Sequence, residues 1–398
     1  MTQVLDNIHV PAAANVNPAR LVGRDILCFS HDWTGDPLSK THLMRLLAKN
    51  NRVLWVNSIG YRMPTVSKSD ARRLFRKLAA ATRPISEPEP NIFVLSPLAV
   101  PSYGSPFIRA LNRRFLGLQV KRAMSKLGFN RPMNWVFNPA ASVIAGTLGE
   151  ETLIYYCVDE YTAFCGVPTQ SLIELENQLA RKADLVIVSA QKLLESKAAL
   201  NPNTFLVRHG VDFTHFQKAL DASGRIPDEL ARLPRPIIGY FGLIASDWID
   251  LPLLVEVAKQ FPNASLVMLG KSTMDLAPLQ QLPNVHLLGR KPYGSLPDYA
   301  RGFDVALIPF PINEATLNSN PLKAREYLAA GLPVVSTAIP EVEVLGQCRI
   351  GRDPQSFCDE IRTALAEPGP NRERSETMRS ESWAARLQAV EAHLAAVS

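Results

Sequence analysis

Residues 313–343 read NEATLNSNPLKAREYLAAGLPVVSTAIPEVE, and this stretch decides the fold. Leu322, Ala324, Tyr327 and Leu328 recur at helical spacing. Asn320 is placed to be an N-cap and Pro321 to take the first helical position, where a missing N–H costs nothing. Gly331 can end the helix in a left-handed conformation, and Pro333 stops it continuing. Val334 to Thr337 are β-branched or small, as in a buried strand. The expected unit is a helix, a sharp turn and a core strand. Lys323 and Glu326 lie three apart on one face of that helix.

Outward from this stretch the chain alternates the same two patterns. Strands are expected at 25–30, 52–57, 92–95, 135–137, 153–157, 185–188 and 204–207, with helices at 38–49, 107–126, 172–181 and 191–199 between them. A Pro-rich boundary at 227–236 follows. Strands at 237–241, 264–269, 285–288 and 305–308 then alternate with helices at 253–260, 296–301 and 354–366. A last helix, 380–397, carries Trp383, Leu387, Val390 and Leu394 on one stripe. Strand–helix alternation implies parallel α/β layers, and 398 residues exceed one ordinary core. The expected division is an arm (1–22), an α/β domain (23–208), a linker (209–235), a second α/β domain (236–375) and a terminal helix (376–398). No G-x-G-x-x-G follows the first strand, which argues against a dehydrogenase-type dinucleotide site.

Hydrophobic residues make up 46% of the chain and charged residues 20%, a globular balance. No apolar run reaches the roughly 18 residues of a membrane span. The first twenty residues lack the basic start and apolar core of a signal peptide, so a cytoplasmic location is expected. Five Cys without a CxxC pair point to reduced thiols.

The net charge of +6 is unevenly placed. Residues 61–131 hold 14 Lys or Arg against Asp70, Glu87 and Glu89, which gives +11 there and −5 elsewhere. Such a lobe suits an anionic membrane surface or an anionic lipid-linked acceptor, or is a solvated surface. Residues 69–81, with RRLFRKLAA, read as a basic amphipathic helix for a membrane interface or for this protein's own core. No interleaving of aromatic and basic residues and no helix-turn-helix pattern accompanies the charge, so nucleic acid is not an expected partner.

The segment EYLAAGLPVVST (326–337) resembles the donor-site signature of nucleotide-sugar glycosyltransferases with two Rossmann-like domains, particularly the retaining family 4, or group 1, type. PLKAREYLAAG resembles a bacterial subgroup that includes teichuronic acid and exopolysaccharide enzymes. HGVDFTHF (209–216) resembles the family's interdomain linker, G-V-D-x-x-x-F. The resemblance implies a glycosyltransferase B-type fold: two Rossmann-like domains facing across a cleft, with the terminal helix crossing back to the first. It implies an enzyme that transfers a sugar, a hexose by the family's habit, from a UDP- or GDP-sugar to a hydroxyl of a glycan or polyprenyl-diphosphate-linked acceptor. No permanent cofactor and no metal are implied. Retention would proceed by same-face attack, with the departing phosphate helping to deprotonate the acceptor. Cell-surface polysaccharide synthesis at the inner face of the plasma membrane is the implied setting. Three alternatives stay open: a sugar-nucleotide epimerase, an inverting transferase of the same architecture, and an inactive nucleotide-binding assembly subunit.

In that family a Glu matching Glu326 holds the ribose hydroxyls. The family's second Glu, eight residues earlier, is replaced here by Asn318. The family's Arg and Lys near the first loop of the second domain are missing from GLIASDW (242–248). Lys323, in the first helical turn, is therefore the candidate for stabilising a departing diphosphate; a surface ion pair to Glu326 is the other reading. Gly242 can bring backbone close to a diphosphate. Ser319 and Asn320 can contact phosphate, although capping accounts for Asn320 equally well. Arg290 and Lys291 fall where relatives contact the nucleotide base, mostly through backbone. On the acceptor side, His31 ends the first strand, and Asp159 with Glu160 ends the YYCVDEY strand. A carboxylate there can orient an attacking hydroxyl, and His31 can take a proton if its pKa is near neutral. His209 stands at the interdomain crossover and His42 on the first helix. Structural hydrogen bonds are the alternative for these residues.

Overall fold

A computed structural model of the chain describes residues 21–59, 84–163 and 169–397. Most of the expected arm, the expected helix at 69–81 and Cys165 lie outside the described residues.

The first lobe is built on β1 (Asp25–Phe29), β2 (Arg52–Val56), β3 (Ser86–Glu89), β4 (Ile92–Leu95), β5 (Met133–Val136), β6 (Thr152–Cys157), β7 (Leu185–Val188) and β8 (Thr204–Leu206). They form one sheet in the order β3-β4-β2-β1-β5-β6-β7-β8. Ile26 of β1 aligns with Val53 on one side and Met133 on the other, both in parallel. Helices cover both faces of such a sheet, so DILCF, RVLWV and LVIV are runs of buried residues rather than alternations. β3 was not anticipated. Its sequence, SEPE, is polar, and it pairs antiparallel to β4 at the sheet edge, where Pro88 is tolerated.

The second lobe carries β9 (Ile237–Phe241), β10 (Ser265–Leu269), β11 (Val285–Gly289), β12 (Val305–Ile308), β13 (Val334–Thr337) and β14 (Arg349–Gly351). The order is β11-β10-β9-β12-β13-β14, and every pairing is parallel. In both sheets the winding reverses beside the first strand, between β1 and β5 and between β9 and β12. Open α/β sheets bind ligands beyond the carboxyl ends of the strands at such a reversal.

The stretch 313–343 folds largely as read. Its helix is Leu322–Ala329, Gly331 is left-handed with φ of 82°, and β13 follows. The cap differs by one residue. Pro321 holds the N-cap position without a side-chain hydrogen bond, and Asn320 is drawn into another network. Ahead of it a short helix, Glu314–Leu317, is capped by Asn313, whose side chain accepts the Thr316 N–H at 2.9 Å.

Two crossovers join the lobes, and they pair with each other. The Val211 N–H donates to Glu381 O at 2.9 Å, and the Trp383 N–H to Val211 O at 3.4 Å. Gly210 is pressed so close that a Cβ there would sit 2.8 Å from the Trp383 nitrogen. The last helix, Trp383–Ala396, then returns to the first lobe. Trp383, Val390 and Leu394 are buried in the same cluster as Ile26, Leu43 and Trp135, and Phe205 stacks on His393 at 4.2 Å. The expected crossing back is therefore present.

Gly210→Val is expected to cost about 1–3 kcal/mol by overpacking this junction. The check is a lower midpoint of urea unfolding; an unchanged midpoint would mean that the crossovers part to admit a side chain.

Candidate functional site

At the reversal point of the second sheet, β9 ends in Tyr240 and Phe241, and Gly242 follows with φ of 139°. A side chain at Gly242 would run into the Lys323 ammonium arm. Lys323 reaches over this loop from the first turn of its helix, with Nζ 5.5 Å from the Tyr240 ring centre and 5.6 Å from that of Phe310. Among the described residues it takes part in no ion pair, so the expected alternative of a salt bridge to Glu326 is not formed. Burial lowers its pKa, and the Glu326 charge opposes that shift. Glu326, one turn further on, has its carboxyl raised to about 7 by burial, with Lys323 pulling it down and Asp212 pushing it up. Tyr293 stands beside it. Its hydroxyl is buried without a hydrogen-bond partner among the described residues, and its ring stacks on His215 at 4.4 Å. The His215 Nε2–H donates to the Tyr293 carbonyl at 3.0 Å.

The first lobe places His31, Asp159 and a residue that sequence reasoning passed over, Lys40, at the carboxyl edge of its sheet. His31 Nδ1 lies 3.1 Å from Ser30 Oγ, and its ring meets Trp55 edge-on at 5.3 Å. Burial and then the Lys40 charge lower its pKa to about 4. The near-neutral base expected of His31 is thus absent. Asp159 is the better-matched group: burial raises its carboxyl to about 6 against the pull of Lys40. Lys40 lies in the first turn of the helix Ser39–Leu47, where its charge faces Asp159, Cys28 and Cys157. A Lys in an amphipathic helix carries no sequence signal of such a position. Glu160 is held structurally, by the Lys197 ammonium at 3.4 Å and the Thr162 hydroxyl at 2.6 Å.

His209 lies at the crossover between the lobes. It is 5% exposed, its Nδ1 has no partner, and burial with Arg325, Lys40 and Arg386 lowers its pKa to about 3. His42, also lowered to about 4 by burial, stacks on Trp383 at 5.5 Å and reaches Tyr293 at 6.0 Å. All three histidines are neutral near pH 7.

Four expected site residues have their side chains engaged by other partners. Arg290 donates to Asp36 of the first lobe at 2.7 Å, an ion pair across the cleft. Lys291 pairs with Glu229 at 2.5 Å. Ser319 is buried, its hydroxyl donating to Thr316 O at 2.9 Å. Asn320 donates to Ser189 O of the first lobe at 2.8 Å and accepts from Arg325 at 2.8 Å, which leaves its amide no free role. Asn318 donates to Glu314 O at 2.8 Å, while Glu314 is exposed and does not stand in for the missing carboxylate. Among the described residues no cluster of three or more His, Cys, Asp or Glu could hold a metal ion.

Residues 235–367 match the family described as glycosyl transferases, group 1. The matched stretch takes in all six strands of the second lobe. The chain is 26% identical over 227 residues to TuaH of Bacillus subtilis (strain 168), assigned as a teichuronic acid biosynthesis glycosyltransferase. That match takes in 52% of this chain and 55% of TuaH, so the chain spans about half the length of the curated relative. Among solved structures, sucrose-phosphate synthase from Thermosynechococcus elongatus superimposes with a TM-score of 0.66 at 16% identity, over 94% of this chain and all of that one. Anabaena HepE in complex with UDP gives 0.63 at 14%, with the same coverage. At these identities the likeness establishes the fold: two Rossmann-like lobes facing a cleft, the glycosyltransferase B architecture.

The raised carboxyl of Glu326 has a sign that can be checked. Its folded-state pKa of about 7 exceeds the ordinary 4.5. Its contribution to stability is full below 4.5 and is lost as pH rises through 7. Glu326→Gln is therefore expected to be more stable than the parent near pH 8, by on the order of 1–2 kcal/mol after solvent screening, and to lose that advantage near pH 5. Urea midpoints at both pH values test this; equal gaps would place the carboxylate in water.

Proposed function

We propose that the protein is a glycosyltransferase that moves a sugar from a nucleoside-diphosphate sugar to an acceptor hydroxyl. The observation that carries this reading is the Lys323 ammonium, in no ion pair among the described residues, lying against the side-chain-free backbone of Gly242, with Glu326 one turn away. A helix start, open backbone and a lysine together suit a diphosphate. HepE, of the same fold, has been solved with UDP and with UDP-glucose.

In this reading residues 236–375 hold the donor and residues 23–208 the acceptor. Glu326 accepts hydrogen bonds from the ribose hydroxyls, and Lys323 meets the charge that develops on the leaving diphosphate. The acceptor oxygen attacks the anomeric carbon as the bond to the phosphate oxygen breaks. The acceptor proton passes to the departing phosphate on the same face, and configuration is retained. Asp159 orients the acceptor hydroxyl, with Lys40 holding the carboxylate charged. Closure of the lobes excludes water from an activated donor. The acceptor is a glycan or lipid-linked glycan, and the enzyme works on the inner face of the plasma membrane. Asn318, in place of a carboxylate, favours one second reading, a nucleotide-binding subunit without transfer. Donor binding with no donor hydrolysis and no transfer would support it.

Calorimetric titration with UDP and GDP tests the donor site. Lys323→Met is expected to weaken the preferred nucleotide by about 10–100-fold and Glu326→Ala by about tenfold, the scale of charged hydrogen bonds. Affinity equal to the parent in both variants would refute the assignment.

A further inference from the structure

The helix Pro106–Leu127 presents an unusual outer face. Its inner face, with Asn112, Leu116, Val120, Ala123 and Met124, is buried. Leu116, Val120, Ala123 and Met124 join the first lobe's core. Its outer face exposes Phe107 by 77%, Leu111 by 41%, Phe115 by 56% and Leu118 by 51%. At about 100° per residue, these four and Arg114, Lys121 and Arg122 fall within one arc of about 120°. The helix contains no Asp or Glu. Arg109 pairs with Glu174, whereas Arg114, Lys121 and Arg122 are exposed and in no ion pair among the described residues.

We propose that this face docks on an anionic lipid bilayer. Apolar side chains flanked by cations are what an interfacial helix needs: rings and leucines enter the acyl boundary while the cations meet lipid phosphates. A second copy of the chain fits poorly, since the same face would bring cations against cations with no acid to pair them. The helix joins β4 to β5, which run parallel within one sheet. Its Phe107 end therefore lies at the carboxyl edge, the edge that carries His31 and Asp159. A bilayer on this face passes the mouth of the first-lobe site, where a membrane-borne hydroxyl can enter. The docking deepens the membrane placement proposed above, but its physical basis does not depend on sugar transfer.

The test is co-sedimentation of the full chain with vesicles of phosphatidylcholine alone and of phosphatidylcholine with phosphatidylglycerol. Binding is expected only to the anionic vesicles and should fade between about 0.05 and 0.5 M salt. Arg114→Glu with Lys121→Glu should lower partitioning about tenfold or more, and Phe107→Ser with Phe115→Ser should lower it at constant charge. All four positions are exposed, so the thermal midpoint and UDP affinity should hold; loss of UDP binding in the parent would sink the donor assignment and leave the docking intact. Equal binding to both vesicles, variants that bind like the parent, or a parent dimer that these variants turn into monomers would overturn the proposal.

Discussion

Arg325 is a full positive charge with 1% of its surface exposed, and the way the lobes are joined follows from pairing it. Its Nε donates to Glu381 at 3.0 Å and its guanidinium to Asn320 at 2.8 Å. Asn320 reaches Ser189 O across the junction. Glu341, 2% exposed, accepts from the Gln191 N–H at 2.7 Å and from Arg208 at 2.6 Å. Breaking one partner of such a network strands a buried charge, at about 3–5 kcal/mol. The helix Leu322–Ala329 is pinned by this network on one side. Its other polar face carries Lys323 and Glu326, so the geometry of the proposed donor site and the lobe junction are set by one element.

The cleft that results is poised for anions. Each lobe contributes a lysine that has no ion pair among the described residues, Lys323 and Lys40, and burial lowers the pKa of both. The neighbouring histidines are held neutral and the facing carboxyls, Glu326 and Asp159, are raised. A negative ligand entering this space relieves strained ammonium groups and meets weakened repulsion from the acids. Arg290 and Asp36 meet across the outer rim, where water and salt screen them. The rim pair is thus a light contact compared with the buried junction.

The α/β alternation was legible because buried parallel strands are written as apolar runs and the helices between them as periodic ones. Gly331, Pro333 and β13 could be placed from backbone restrictions alone. Lys323 and Glu326 were legible as two polar residues on a helix otherwise committed to the core. What escaped was set by tertiary contact. SEPE forms a strand because β4 offers it an edge. Asn320 had the chemistry of a cap, yet a buried arginine and a carbonyl from the other lobe claimed it. His31 had the right position for a base, but its pKa depends on burial and on Lys40, nine residues away in sequence and adjacent only after folding. The side-chain partners of Arg290 and Lys291, Asp36 and Glu229, lie on separate segments and carry no local signal.

The returning helix Trp383–Ala396 has a consequence for how the protein is made. Ile26, Leu43 and Trp135 sit in a cluster that Trp383, Val390 and Leu394 complete. During synthesis those first-lobe residues emerge early, and the whole second lobe must follow before their cover arrives. At roughly 5–20 residues per second, the interval between Val207 and Trp383 is on the order of ten to thirty seconds. For that time the apolar face that Trp383, Val390 and Leu394 cover in the finished fold is without that cover.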